Sequence, residues 1–131
     1  VANKVTITGK IVSGLKQGAF FTQLDWVKSQ CRSHLGYGPY PGTLNIEVSP
    51  PDLPTAQKLL EADGKRLVPP DTTFCSGKLF PVTIESIPAA IVIPATAVRS
   101  HEGGIVEVIA AVSLRETLGL SDGDTVSLAL K

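Results

Sequence analysis

A chain of 131 residues has room for one compact domain, and folding can remove roughly two-thirds of its extended-chain surface from water. Twelve Lys and Arg balance twelve Asp and Glu, with 18% charged and 43% hydrophobic residues, which excludes a disordered polyampholyte and argues against bulk nucleic-acid binding. Ten prolines and twelve glycines are too many for a helical bundle and fit a β-rich barrel or sandwich of short elements.

Val5, Ile7 and Ile11 give partial period-two alternation within Lys4 to Ser13, which predicts a strand that bends or bulges at Gly9. Gly14 and Gly18 bracket a tight loop, and Ala19 to Thr22 can continue as a strand. Leu24, Val27, Cys31 and Leu35 then recur at spacings of three and four, the stripe of a short amphipathic helix ended by Gly36 and Gly38. After the loop Gly36 to Gly42, Thr43 to Val48 alternates strictly, with Leu44, Ile46 and Val48 on one face and Thr43, Asn45 and Glu47 on the other.

Pro50 and Pro51 break that strand, and Leu53 to Ala62 reads as a second short helix entered through Asp52 and Pro54. Phe74 to Glu85, Ala89 to Ile93 and Ile105 to Ala110 are the next predicted strands, rich in Val, Ile and Phe and separated by Pro or Gly. Ser113 and Glu116 have capping-box spacing for a helix through Leu118, Asp122-Gly-Asp124 is a turn, and Val126, Leu128 and Leu130 alternate through a last strand. About six strands without a regular β-α rhythm favour a small closed barrel in a single domain, residues 1–131.

The longest mostly apolar stretch, Ala89 to Val98, is interrupted by Pro94 and falls short of the roughly 18 residues of a membrane span. With no charged-then-apolar leader at Val1 and no C-x-x-C spacing at Cys31 and Cys75, a cytoplasmic protein with two buried thiols is expected. There is no methionine, and Val1 is expected to be a processed or trimmed start. Residues 1–46 carry Lys4, Lys10, Lys16, Lys28 and Arg32 against Asp25 alone, an asymmetry that suits either a small phosphorylated ligand or scattered solvated lysines.

Three constellations can carry chemistry. Ser13-Gly-Leu-Lys-Gln-Gly18 is a glycine-bracketed loop whose main-chain N–H groups and Lys16 can receive a phosphate, although it lacks Walker or dinucleotide spacing, and taken alone it is better read as an ordinary bent turn. Thr43 and Asn45 share one side of a strand, where their oxygens either hold a magnesium ion together with phosphate and water or cap loop backbone. Glu107 stands among apolar neighbours; it either faces solvent from a half-buried strand or points into a closed pocket, where desolvation would raise its pKa and make it a base. Arg99 and His101 precede it with cationic or titratable groups.

Together these segments resemble the CTP-dependent riboflavin kinases best known from archaea. The resemblance runs from Gly9-Lys-Ile-Val-Ser-Gly14 through Leu35-Gly-Tyr-Gly-Pro-Tyr-Pro-Gly-Thr-Leu-Asn-Ile46 to Glu107-Val-Ile-Ala and Leu114-Arg-Glu-Thr-Leu-Gly-Leu-Ser-Asp-Gly-Asp124, and Pro-Tyr-Pro-Gly-Thr-Leu-Asn is its most specific element. It implies a mainly β, six-stranded cradle-loop barrel with two or three short helices that transfers the terminal phosphoryl group of CTP to the 5′-hydroxyl of riboflavin, giving FMN and CDP. By resemblance Thr43 and Asn45 would hold Mg2+; Gly14, Leu15, Lys16, Gln17, Gly18 and Ala19 would wrap the nucleotide phosphates. Val112, Ser113, Leu114 and Arg115 would line the cytidine side, and Arg99, His101 and Glu107 the flavin side, with Glu107 as the base. A monomer with no nucleic-acid or membrane partner is expected.

The chain departs from the family pattern where Lys16 and Gln17 replace the middle glycine and the glutamate of Gly-x-Gly-Glu-Gly, where Arg99 takes the place of a threonine, and where Ala111 takes that of a proline. The linker from Pro94 to His101 is about two residues longer. These departures leave a flavin- or nucleotide-binding sensor domain without catalysis as the alternative. A DNA-binding barrel of the swapped-hairpin type is the third reading, drawn from the Leu-Arg-Glu and Asp-Gly-Asp segment and opposed by the zero net charge.

Overall fold

The computed structural model describes residues 5–13, 17–71, 76–94 and 104–131, with residues 17–19 as backbone only. Among the described residues seven strands run as β1 (Thr6–Val12), β2 (Leu44–Val48), β3 (Lys65–Leu67), β4 (Gly77–Ile84), β5 (Ile87–Pro94), β6 (Ile105–Ala110) and β7 (Thr125–Leu130). Four short helices are interspersed among the described residues: α1 (Gln17–Thr22), α2 (Asp25–Leu35), α3 (Leu53–Glu61) and α4 (Leu114–Leu118). The strands pair in the order β3-β4-β5-β6-β2-β1-β7, and β7 returns to β4, so six antiparallel strands close into a barrel with β3 outside it.

The alternation that predicts β1 and β2 points Ile7, Ile11, Leu44, Ile46 and Val48 into the barrel, where they meet Val82, Ile84, Ile91, Val108 and Leu128. Ala56 and Leu59 of α3 join the same core. Asp52, expected to open α3 as a cap, instead accepts a hydrogen bond from the Thr8 N–H at 2.9 Å and ties α3 to β1.

No bulge occurs at Gly9. Its pairing continues unbroken to Val48 on one side and Val126 on the other. The glycine is there for close approach: a Cβ would stand 2.3 Å from the Glu47 carbonyl oxygen.

β5 is buried on both faces from Ala89 to Ile93, which accounts for a continuous apolar run where a half-exposed strand would alternate. Its outward residues Ala90 and Val92 belong to a second core with Ile109, Leu79, Leu67 and the α2 residues Val27 and Cys31. The stripe read from the sequence is thus the face α2 lays on the outside of the barrel. Gly36, at φ +87°, closes this helix in the left-handed region, with its N–H bonded to the Arg32 carbonyl.

β3 went unpredicted because three residues carry no period. Its free edge is covered by α2: the Gln30 amide donates to the Val68 carbonyl at 2.6 Å and accepts from the Val68 N–H at 2.7 Å, and His34 Nε2 meets the Arg66 carbonyl at 2.9 Å. The expected Pro or Gly break between β4 and β5 is in fact the two-residue turn Glu85-Ser86, both at positive φ, while Pro81 and Pro88 lie within the strands. Ala19 to Thr22, expected as strand, belongs to α1. A short apolar run cannot choose between the two by periodicity; here Phe21 and Leu24 pack on the second core, with the Phe21 ring edge-on to Trp26 at 6.2 Å.

Cys31 is buried and free, and Cys75 lies outside the described residues. No helix among the described residues is long and apolar enough to cross a membrane.

Candidate active site

Register assembles the site. Val12 in β1 pairs with Asn45 in β2, Asn45 pairs with Glu107 in β6, and Glu107 pairs with Val92 in β5, so these four residues form a row across the outer face of the barrel. The chain leaves β1 at Ser13, beside this row, to enter the glycine-bracketed segment.

Glu107 therefore points outward, not into the closed interior, and is half-buried on the outer face next to the α2-covered core. Thr43, two residues before Asn45, donates from Oγ1 to Glu107 Oε1 at 2.9 Å. Both Thr43 and Asn45 are half-buried. The carboxylate accepts the Thr43 hydrogen bond, which leaves the hydroxyl lone pairs open to a cation, and its own second oxygen remains as an acceptor.

Two hydrogen bonds fix the loop that delivers Thr43. The Tyr40 N–H donates to the Ala110 carbonyl at 2.7 Å, and the Gly42 N–H donates to Oγ1 of the fully buried Thr22 at 2.8 Å. The end of α1 is thereby held against the start of β2.

Beside Thr43 opens a cleft of about 160 Å³ lined by Tyr40 to Leu44, Val108, Ala110 and Val112 to Arg115. Ser113 caps α4, its Oγ accepting from the Glu116 N–H at 3.3 Å as the capping-box spacing predicts, and this turns Leu114 into the core and leaves Arg115 on the cleft wall. Arg115 Nη2 donates to Asp122 Oδ1 at 2.6 Å, and Ser13 Oγ donates to Asp122 Oδ2. Hydrogen bonds from Ser13, and then from Arg115, hold the Asp122 carboxyl below its ordinary pKa.

The structure thus brings Thr43, Asn45, Glu107 and Val112 to Arg115 together. Gly14, Leu15, Lys16, Arg99 and His101 lie outside the described residues, and Gln17, Gly18 and Ala19 are described only as the backbone of α1. Sequence reasoning missed Tyr40, Thr22 and Asp122. Tyr40 stands inside the most specific motif, whereas Asp122 carried only a turn signal and Thr22 none.

Among the described residues no group of three His, Cys, Asp or Glu side chains could hold a metal. The donors at hand are the neutral oxygens of Thr43 and Asn45, which fit a hard cation that keeps most of its shell for phosphate and water.

Residues 11–130 match a family model named for CTP-dependent riboflavin kinases and described as a domain of unknown function, DUF120. Curated proteins named Riboflavin kinase are similar to the chain along most of its length. That of Methanocella arvoryzae is 37% identical over 123 residues, covering 94% of this chain and 56% of the relative. That of Methanoregula boonei is 39% identical over 130 residues, with coverage of 94% and 56%. That of Saccharolobus solfataricus is 36% identical over 131 residues, with coverage of 96% and 74%. Against the first two, the chain spans little more than half of the relative's length.

Proposed function

The chain belongs to the CTP-dependent riboflavin kinase family, and on that basis we propose that it transfers the terminal phosphoryl group of CTP to the 5′-hydroxyl of riboflavin, giving FMN and CDP. The observation that carries this reading is the Thr43–Glu107 hydrogen bond at 2.9 Å, beside a cleft that α4 and the Tyr40 loop form together. It puts a carboxylate and two neutral oxygen donors within one patch of the outer barrel face.

In this reading Thr43 and Asn45 hold Mg2+, which neutralises phosphate charge when bound. Val112 to Arg115 line the nucleoside side, and the segment from Gly14 to Ala19 wraps the phosphates. Glu107, with Oε1 engaged by Thr43, uses its other oxygen to accept the proton of the riboflavin 5′-hydroxyl as that oxygen attacks the terminal phosphorus. Arg99 and His101 contact the flavin. Phosphoryl transfer depends mainly on positioning and charge neutralisation, so no covalent nucleophile is needed. A triphosphate met by a metal and main-chain N–H groups also suits a chain of zero net charge.

The test is to incubate the purified chain with riboflavin and Mg2+ and, separately, each of CTP, ATP, GTP and UTP, and to separate FMN chromatographically. FMN formed with CTP in preference to the others is the expected result. Absence of FMN with every nucleotide at high protein concentration overturns the reading. Tight binding of FMN or nucleotide without turnover would instead identify a binding module, the outcome that Lys16 and Gln17 in the phosphate segment favour.

A further inference from the structure

The turn between α4 and β7 is stitched to β1 just before Ser13. The Ile11 N–H donates to the Asp124 carbonyl at 2.9 Å, the Gly123 N–H donates to the Ile11 carbonyl at 2.8 Å, and the Ser121 N–H donates to Asp124 Oδ2 at 2.8 Å. The Leu120 N–H donates to the Arg115 carbonyl at 2.8 Å, so the same turn also closes the end of α4. Asp122 sits in this fixed frame and offers one carboxylate oxygen to each of two side chains. Oδ2 accepts from Ser13, the last described residue before the glycine-bracketed segment, and Oδ1 accepts from Arg115 on the cleft wall.

An exposed ion pair of this kind, with side chains 40% and 50% accessible, adds little to stability because water and salt screen it. Its geometry is more informative than its energy. Ser13 and Arg115 come from distant parts of the sequence: Arg115 lines the cleft, and Ser13 follows the end of β1. Among the described residues, the Asp122 carboxylate on its turn hydrogen-bonds to both. Without it, Arg115 regains its rotamer freedom and Ser13 loses its tether, and both costs would return on ligand binding.

We propose that Asp122 is a positioning residue for nucleotide binding: it clasps Ser13, where β1 ends, to Arg115 on the α4 wall of the cleft and so holds the end of β1 and that wall together. The inference rests on the nucleotide-site reading above. Asp122 acts through Ser13 and Arg115 and does not itself meet the ligand.

The test measures the Kd of Mg2+ with CDP for the whole chain by calorimetry, alongside thermal midpoints, for the unaltered protein and for Asp122→Ala, Asp122→Asn and Ser13→Ala. Asp122→Ala is expected to weaken CDP binding about tenfold, and Ser13→Ala, which removes one arm of the clasp, by a smaller factor. Asp122→Asn is expected to recover most of the affinity, since an amide can still accept from Arg115 and can donate to Ser13 Oγ. Thermal midpoints should stay together across the set, and the KM for riboflavin should not move.

Unchanged or tighter CDP binding in Asp122→Ala overturns the clasp. So does Asp122→Asn as weak as Asp122→Ala, which would mark a field effect of the charge, and so does a loss of affinity that tracks the thermal midpoint. Failure of the unaltered chain to bind CDP overturns the nucleotide-site reading and the clasp together, a result distinct from binding that is indifferent to residue 122.

Discussion

Thr43 Oγ1 donates to Glu107 Oε1 at 2.9 Å across 64 residues of sequence. The bond makes the two side chains one unit: the hydroxyl orients the carboxylate, and the carboxylate turns the hydroxyl lone pairs outward. Glu107→Gln keeps an oxygen that can accept from Thr43 but loses the carboxylate proposed above as the base. FMN formation should then fall in kcat by roughly 10²-fold or more with little change in nucleotide KM. Thr43→Val keeps the shape and loses both roles, so it should raise the KM for the metal–nucleotide complex as well. Steady-state kinetics of both variants separate these effects, and an unchanged kcat in Glu107→Gln would remove the base.

Stability should fall in alkali. Burial pushes the Cys31 thiol up from 9.0 to about 11. Burial first, and the neighbouring Cys31 second, push the Tyr37 phenol up from 10.0 to about 12. Both groups hold their protons more tightly folded than unfolded. Their contribution is therefore complete below pH 9.0 and is lost as pH rises through about 11 and about 12. Urea midpoints measured from pH 8 upward should decline over that window, and Cys31→Ala should flatten its lower part. The Tyr37 hydroxyl is buried with no hydrogen-bond partner among the described residues, so Tyr37→Phe should be neutral or stabilising by about 1 kcal/mol at pH 7.

Gly9→Ala should destabilise the barrel by roughly 1–3 kcal/mol, the usual cost of forcing extra volume into a packed interior. The added methyl would meet the Glu47 carbonyl at 2.3 Å and the Ile46 side chain at 2.7 Å. Backbone cannot swing aside as a long side chain can. Denaturant unfolding at constant m-value measures the loss, and a stability equal to that of the parent would refute the close approach.

The Glu85-Ser86 turn offers the opposite sign. Both residues hold positive φ, 50° and 68°, in a two-residue hairpin where Asn-Gly is the relaxed pair. Ser86→Gly should stabilise by about 0.5–1 kcal/mol through relief of that backbone cost. Thermal unfolding reads the gain, and a midpoint at or below that of the parent would refute the backbone cost.

Local signals in the sequence reached the elements whose geometry is local. Strict alternation located β2, the three-and-four stripe located α2, and the Ser113 cap located α4. Short segments escaped: β3 is too short for a period, and Ala19 to Thr22 suits either a strand or a helix. At the site, the common side of Thr43 and Asn45 follows from their spacing alone. That Glu107 lies opposite Asn45 depends on the pairing of β2 with β6, 62 residues apart, which no local pattern encodes. The double contact of Asp122 depends in the same way on the turn docking against β1.

The barrel is laced unevenly. β4 and β5 share eight registered pairs, whereas the closing contact between β4 and β7 has two, Val82 with Leu130 and Thr83 with Ala129, followed by one 3.2 Å bond from the Lys131 N–H to Pro81. A cylinder so joined parts first along its thin seam, and amide exchange should be fastest there. The row from Val12 to Val92 lies on the other strands of the wall, so the seam can breathe while the patch that would do the chemistry keeps its spacing.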